Sequence, residues 1–219
     1  MAELSRPRAV IFDWDNTLVD SWPVILDALN TTFRAYDLPE WSLADAKAKV
    51  RQSMRDSFPA IFGDEWEKAG EVFYARYAEI HADAVVPATG AGELLDYLSD
   101  AGIYLSVVSN KRGDYLRKEA DQLGWNRYFG KIVGAFDAVR DKPDPAPVQM
   151  ALEPADILPD EAAVWFIGDA DIDIKCGKNA GCHTVLVRPE PPGPEEFTDN
   201  LPDLAVATCR DLCNLIRTM

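Results

Sequence analysis

The stretch AVIFDWDNTLVD, residues 9–20, passes from an apolar run to a group of carboxylates within a few positions. The run Val10–Phe12 predicts a buried β-strand, because uninterrupted apolar residues are typical of a strand covered on both faces. Asp13 and Asp15 follow it at once. Ligands of open parallel sheets bind beyond the carboxyl ends of the strands. We therefore interpret these carboxylates as the beginning of a functional site.

Short apolar strands recur along the chain, and helical segments separate most of them. Gly102 and Gly124 each stand where a helical pattern ends, as a C-terminal glycine does. This alternation predicts an α/β fold with a doubly wound, Rossmann-like parallel sheet and helices on both faces. The predicted strands lie at about 8–12, 103–108, 131–135, 163–167 and 183–187.

A long segment after the first strand lacks the strand pattern and predicts a small all-helical domain. Pro23 marks the start of its first helix. Ser42 and Asp45 resemble a capping box for a second helix, and Asp64 opens a third. The predicted organisation is therefore an α/β core domain and a helical cap domain inserted after the first strand, with boundaries at 1–20 and 87–219 for the core and 21–86 for the cap.

Composition restricts the possible partners and compartment. The chain has 219 residues, 47% of them hydrophobic, and a net charge of −15, which argues against nucleic acid or a membrane surface as a partner. The N-terminal apolar stretch is too short for a signal peptide, so we expect a cytoplasmic protein. The four cysteines show no CxxC spacing, which favours ordinary thiols over a zinc site. Both a monomer and a homodimer are compatible with the sequence.

Polar side chains follow four of the predicted strands, at the point where each strand ends. Taken singly, Asp15 and Asn16 suit a turn and Lys142 suits a solvated position, but their joint placement after strands favours a site. Carboxylates gathered at one edge repel one another, and Lys142 alone is too little to compensate them. Mg²⁺ binds carboxylates together with a substrate phosphate, so we expect Mg²⁺ and a phosphorylated ligand. The candidate residues are Asp13, Asp15, Ser109, Asn110, Lys142 and Asp169, with Asp171 and Asp173 nearby.

The stretches DWDNTLVD, SN, KPDP and GDADID, in this order, resemble the four motifs of the haloacid dehalogenase superfamily. With a helical insert after the first motif, the chain is similar to the phosphoglycolate-phosphatase-like branch, whose cap is of the C1 type. The resemblance covers essentially the whole chain. It implies a Mg²⁺-dependent phosphoric monoester hydrolase acting on phosphoglycolate or a similar small phosphorylated metabolite. One departure is Asn16, where glycine is commoner, and asparagine also tolerates left-handed backbone angles.

The resemblance implies a chemical role for each motif residue. Asp13 is the expected nucleophile, which forms an aspartyl-phosphate intermediate. Asp15 is expected to protonate the leaving oxygen and later to deprotonate the attacking water. Ser109 and Asn110 are expected to bind the phosphoryl oxygens, while Lys142 neutralises charge on the nucleophile and on the transferred group.

The resemblance also implies a metal site beside the nucleophile. Family sheets place the first and fourth motif strands side by side, so Asp13 and Asp169 should face one another. Both carboxylates, with the main-chain carbonyl of Asp15, are the expected Mg²⁺ ligands. Three roles stay open for Asp173, which could bind the metal directly, bind it through water or orient Lys142.

The second aspartate of the first motif separates this chain from some relatives. Dehalogenases of the superfamily lack an aspartate at the position of Asp15, and phosphonate hydrolases carry a small residue there, so a phosphate ester is the expected substrate. Two alternatives stay open: a sugar-phosphate mutase and a catalytically silent phosphate-binding regulatory module.

The cap is expected to close over the site. Arg51 and Arg55, one helical turn apart on the second helix, are candidates for binding an anionic substrate tail, with solvated surface arginines as the alternative.

Overall fold

The structure, a computed structural model, describes residues 6–50, 54–160, 163–191, 196–197 and 200–219. The chain divides into two compact units, one of Met1–Val19 with Pro87–Met219 and one of Asp20–Val86. Among the described helices, none is both long enough and apolar enough to span a bilayer.

The larger unit is built on a parallel sheet. In chain order the described strands are β1 (Ala9–Phe12), β2 (Val19–Asp20), β3 (Val86–Pro87), β4 (Tyr104–Arg112), β5 (Phe129–Ala135), β6 (Val164–Gly168), β7 (His183–Val187) and β8 (Leu204–Val206). Six of them form one sheet in the order β5-β4-β1-β6-β7-β8, and β2 pairs with β3 separately. Every pairing in the larger sheet is parallel.

Helices follow the strands of this sheet, as the alternating pattern predicts. In the larger unit they are α5 (Ala91–Asp100), α6 (Gly113–Gln122), α7 (Ala146–Leu152), α8 (Asp171–Ala180) and α9 (Cys209–Arg217). Gly102 and Gly124 adopt left-handed backbone angles after α5 and α6, with φ of 71° and 66°. The predicted α/β fold is therefore confirmed.

Strand β1 lies in the middle of the sheet and is fully buried. Phe12, its last residue, stands opposite Val107 of β4 on one side and Ile167 of β6 on the other. The carboxyl ends of these three strands therefore reach the same edge of the sheet. The adjacency of β1 and β6 is the one that the family resemblance implies for the first and fourth motifs.

The turn after β1 depends on Asn16. Its φ is 62°, in the left-handed region that asparagine tolerates better than most residues. The Asn16 N–H donates to the Val19 carbonyl at 2.6 Å, which closes the turn. Asn16 thus adopts the left-handed conformation that this turn requires, although it lacks the conformational freedom of glycine.

The smaller unit is helical, but its helix boundaries differ from those predicted. Its helices are α1 (Trp22–Ala35), α2 (Leu43–Lys49), α3 (Met54–Phe62) and α4 (Trp66–Ala84). Asp64 lies in a 3-10 turn, Gly63–Glu65, and does not cap the helix that begins at Trp66. The ring of Phe62 packs against those of Phe33 and Phe58 in this unit, with centroid distances of 5.9 Å to Phe33 and 5.0 Å to Phe58.

The predicted capping box of α2 is confirmed. The Asp45 N–H donates to Ser42 Oγ at 3.1 Å, and the Ser42 N–H donates to Asp45 Oδ2 at 3.0 Å. Val50 then adopts extended backbone, φ −83° and ψ 91°, and ends the helix at Lys49. The prediction that this helix carries Arg55 is wrong, because Arg55 lies on α3. Arg51, the other arginine of that hypothesis, lies outside the described residues.

Candidate active site

Lys142 joins two carboxylates at the carboxyl edge of the sheet. Its Nζ donates to Asp13 Oδ1 and to Asp173 Oδ1, both at 2.6 Å. The lysine side chain is only 3% exposed. Burial disfavours its charge, but the two neighbouring carboxylates outweigh burial and raise the pKa of Lys142 above its usual value. Lys142 therefore stays charged beside Asp13.

Three carboxylates form a cluster at this edge of the sheet. Oxygen atoms of Asp13, Asp169 and Asp173 all lie within 4.8 Å of one another. Burial raises the pKa of Asp13 to about 7, against the opposing effect of Lys142. Burial also raises the pKa of Asp169 well above its usual value, and the charges of Asp173 and Asp13 add to the rise. A hard cation among these oxygens would offset both the burial and the repulsion.

Asp173 is held from two sides at the start of α8. Its Oδ2 accepts the Ala170 N–H at 3.0 Å, while Oδ1 accepts from Lys142. Of the three roles left open for Asp173, orienting Lys142 is the one with a direct contact in the structure. Its position in the carboxylate cluster also suits a metal ligand.

Gly168, the last residue of β6, leaves room for this arrangement. A Cβ placed there would lie 2.2 Å from the Asp173 Cβ and 2.4 Å from its Cγ. We expect Gly168→Ala to displace Asp173, loosen Lys142 and lower turnover at least about 10-fold. Gly92→Ala is the matched control, because a Cβ at this glycine in α5 meets nothing within 4 Å. Steady-state rates should separate the two variants, and equal rates would contradict the packing argument.

Strand β4 continues to Arg112, past its predicted end at 108, so the polar pair Ser109 and Asn110 lies within the strand and not after it. This pair also contacts the Lys142 loop. Asn110 Oδ1 accepts the Lys142 N–H at 3.0 Å, and Asn110 Nδ2 donates to the Lys142 carbonyl at 3.2 Å. Ser109 is buried, and its Oγ accepts the Lys111 N–H at 3.2 Å. Asn110 thus aligns the main chain of Lys142. Phosphoryl binding by Ser109 and Asn110 stays a prediction.

Asp15 contacts a different ammonium group from the one beside Asp13. Lys111 Nζ donates to Asp15 Oδ1 and to Glu119 Oε2, both at 2.6 Å. Burial opposes the Lys111 charge, but Asp15 and Glu119 outweigh burial and raise the pKa of the lysine. Sequence reasoning missed Lys111 and Glu119. The available signal was the position of Lys111 directly after the polar pair Ser109 and Asn110.

Arg188, immediately after β7, contacts the main chain of the fourth motif. Its Nη1 donates to the main-chain carbonyl of Asp169 at 3.2 Å and to Glu196 Oε1 at 2.7 Å. Nothing in the sequence patterns singled out this contact. Asp171 is the first residue of α8.

Comparison with known proteins identifies relatives along nearly the whole chain. A family model described as haloacid dehalogenase-like hydrolase matches residues 10–187. A phosphoglycolate phosphatase of Aquifex aeolicus is 31% identical over 210 residues, which covers 95% of this chain and 96% of that protein. Pyrophosphatase PpaX of Bacillus velezensis is 28% identical over 210 residues, with 96% of each chain covered.

Solved structures share the fold. The crystal structure of a predicted phosphoglycolate phosphatase from Haemophilus somnus superposes with a TM-score of 0.83 at 21% identity, covering 97% of this chain and 99% of that one. The family match spans the strand that carries Asp13 and all four motif segments. The chain therefore belongs to the haloacid dehalogenase-like hydrolases, and it is a phosphatase.

Proposed function

We propose that this phosphatase hydrolyses a small phosphate monoester through an aspartyl-phosphate on Asp13, with Mg²⁺ as its cofactor. The supporting observation is the separation of two neighbouring carboxylates. Asp13 lies in the carboxylate cluster with Lys142, whereas Asp15 is paired with Lys111. Two carboxylates in unlike surroundings suit a nucleophile and a separate acid–base group.

The proposed reaction has two steps. A carboxylate oxygen of Asp13 attacks phosphorus, the bond from phosphorus to the ester oxygen breaks, and the Asp15 carboxyl gives its proton to the leaving oxygen. Water then attacks the same phosphorus, Asp15 takes a proton from that water, and the bond to Asp13 breaks. Inorganic phosphate leaves, and both aspartates return to their first state. Throughout, Lys142 offsets negative charge at Asp13 and at the phosphoryl oxygens.

The carboxylate cluster fits Mg²⁺, because its donors are hard oxygens and burial and repulsion raise the pKa values of Asp13 and Asp169. We propose Asp13, Asp169 and the main-chain carbonyl of Asp15 as its ligands. When bound, Mg²⁺ supplies positive charge for the phosphoryl oxygens. The chain's own residues keep the nucleophile oriented, through the contact of Lys142 with Asp13.

Asp169→Ala tests the metal proposal. We expect this variant to lose turnover, while its thermal midpoint in metal-free buffer holds or rises, because one partly buried carboxylate that its neighbours repel is gone. Mg²⁺ should raise the midpoint of the unaltered protein but not that of the variant, which is a readout independent of activity. Turnover of the unaltered protein in excess EDTA would contradict the metal proposal.

We propose phosphoglycolate as the first substrate to test, since relatives with that name match almost the full chain. Pyrophosphate is the second candidate, because the Bacillus relative is a pyrophosphatase. In this proposal residues 21–86 form a cap that restricts substrates to small molecules, and Arg55 is a candidate contact for an anionic tail.

A rate comparison with Mg²⁺ tests this assignment. Purified protein is assayed with phosphoglycolate, pyrophosphate and p-nitrophenyl phosphate, and inorganic phosphate is measured. We expect phosphoglycolate to have the highest kcat/KM. A higher kcat/KM for pyrophosphate would make pyrophosphate the proposed substrate and would leave the phosphatase activity itself unchallenged. No turnover of any compound by folded protein that binds Mg²⁺ would favour a silent binding module.

A further inference from the structure

We infer that Lys111 is a positioning residue for Asp15, with the side chain at position 119 as the hydrogen-bond acceptor on its other side. The inference rests on the acid–base role of Asp15 in the proposed function. It assigns a role to Lys111, which lies outside the four motifs.

The contacts of Lys111 leave little freedom to its long side chain. Its Nζ lies 2.6 Å from Asp15 Oδ1 and 2.6 Å from Glu119 Oε2. The exposed fraction is 6% for the lysine side chain and 1% for Glu119. An exposed ion pair contributes little, but a buried one with short contacts on both sides holds its partners in one geometry. One oxygen of Asp15 is therefore fixed by Lys111.

Glu119 is in turn anchored to the segment between the two aspartates. Trp14 Nε1 donates to the same Glu119 oxygen, Oε2, at 2.7 Å. The Trp14 side chain is fully buried, with its ring edge-on to Trp125 at 5.8 Å between centroids. Trp14 of the first motif thus contacts α6 through Glu119. The same Glu119 oxygen accepts from Lys111.

Orientation matters because a general acid must point its proton at the leaving oxygen. The need depends on the leaving group. Phenolate departs from phosphorus poorly without a proton, whereas p-nitrophenolate departs readily. Loss of Asp15 orientation should therefore reduce kcat/KM for phenyl phosphate more than for p-nitrophenyl phosphate. A general loss of folding or binding would reduce both alike.

The variants are chosen so that buried charges stay balanced. Lys111→Met alone removes the ammonium group that lies between the Asp15 and Glu119 carboxylates and is expected to lower the thermal midpoint. The double variant Lys111→Met with Glu119→Gln removes one positive and one negative buried charge. Its glutamine carbonyl can still accept the indole proton of Trp14. Glu119→Gln alone is the matched control, because it keeps the pair of Lys111 and Asp15.

The measured quantity is the ratio of kcat/KM for p-nitrophenyl phosphate to kcat/KM for phenyl phosphate. We expect the double variant to raise this ratio about 10-fold, a part of the 10²–10⁴ that a positioned acid contributes. Asp15→Asn should raise it at least as much. Glu119→Gln should keep the ratio of the unaltered protein. Thermal midpoints taken alongside show that each variant is folded.

Two results would overturn the inference while leaving the proposed function intact. One is an equal loss on both esters in the double variant, and the other is an equal shift of the ratio in Glu119→Gln, each with Asp15→Asn still selective. An unchanged ratio in Asp15→Asn would instead remove the acid role from the proposed function, and the inference with it. If the double variant does not fold, Lys111→Ala with Glu119→Gln, which leaves space for water beside Asp15, is assayed in its place, and a ratio unchanged in that variant overturns the inference.

Discussion

Asp13→Asn is expected to abolish phosphoenzyme formation on every phosphate ester, whatever the leaving group. An amide cannot replace the carboxylate oxygen that forms the bond to phosphorus. Removal of a covalent nucleophile typically lowers turnover on the order of 10⁶-fold. Acid-quenched protein, exposed first to p-nitrophenyl phosphate with Mg²⁺, should show no added phosphoryl mass in this variant.

The fold should survive this change. Lys142 keeps its contact with Asp173 at 2.6 Å, so the substitution does not leave a buried ammonium without a carboxylate. The amide also matches the carboxylate in size, which avoids a cavity. Thermal midpoint and circular dichroism should therefore stay close to those of the unaltered protein, so that the lost activity reports on chemistry.

Asp96→Asn makes the same chemical change on the exposed surface of α5 and serves as the control. It should retain full turnover. A phosphoryl adduct on Asp13→Asn would mean that another residue is the nucleophile. An adduct that maps to a residue other than Asp13 in the unaltered protein would lead to the same conclusion.

Asp15→Asn should behave differently, because Asp15 moves protons and forms no bond to phosphorus. p-Nitrophenolate departs without a proton, so the variant should still transfer the phosphoryl group to Asp13. Hydrolysis of the intermediate then lacks its base, a loss on the order of 10²–10⁴ in rate. The intermediate should accumulate.

Rapid mixing of Asp15→Asn with p-nitrophenyl phosphate measures this. We expect a burst of p-nitrophenolate that approaches one equivalent of protein, followed by slow turnover. Lys111 keeps Glu119 as a buried partner, so this variant should fold. The unaltered protein is the control, and it should show a smaller burst or none. Steady turnover at the unaltered rate would exclude Asp15 as the base.

Much of the core could be predicted from local patterns. The strands that carry Asp13, Ser109 and Asp169 are apolar runs, because both faces of a parallel sheet are covered. The sequence therefore places polar residues near the carboxyl ends of these strands. The parallel register of the sheet then brings those ends to one edge. Helix ends were less predictable. Whether a helix continues past Lys49 depends on the backbone of Val50, and no residue type there forbids continuation.

The partners of buried charges could not be predicted in the same way. Lys111 looks like an exposed lysine in the sequence, and Glu119 like one charge on an amphipathic helix. They meet Asp15 because β4 lies beside β1 and α6 follows β4 directly. Asn110 likewise reaches the main chain of Lys142 across 32 positions of sequence.

The sequence by itself determined the α/β class, the order of the four motifs along the chain and the residue types available for phosphoryl chemistry. These follow from local composition, since burial on both faces and the turn after a strand are properties of a few adjacent residues. Only the tertiary structure decided which ammonium faces which carboxylate, with Lys142 beside Asp13 and Lys111 beside Asp15. The reason is physical: a buried charge is stabilised by the groups that the sheet order places next to it, and those groups lie far away along the chain.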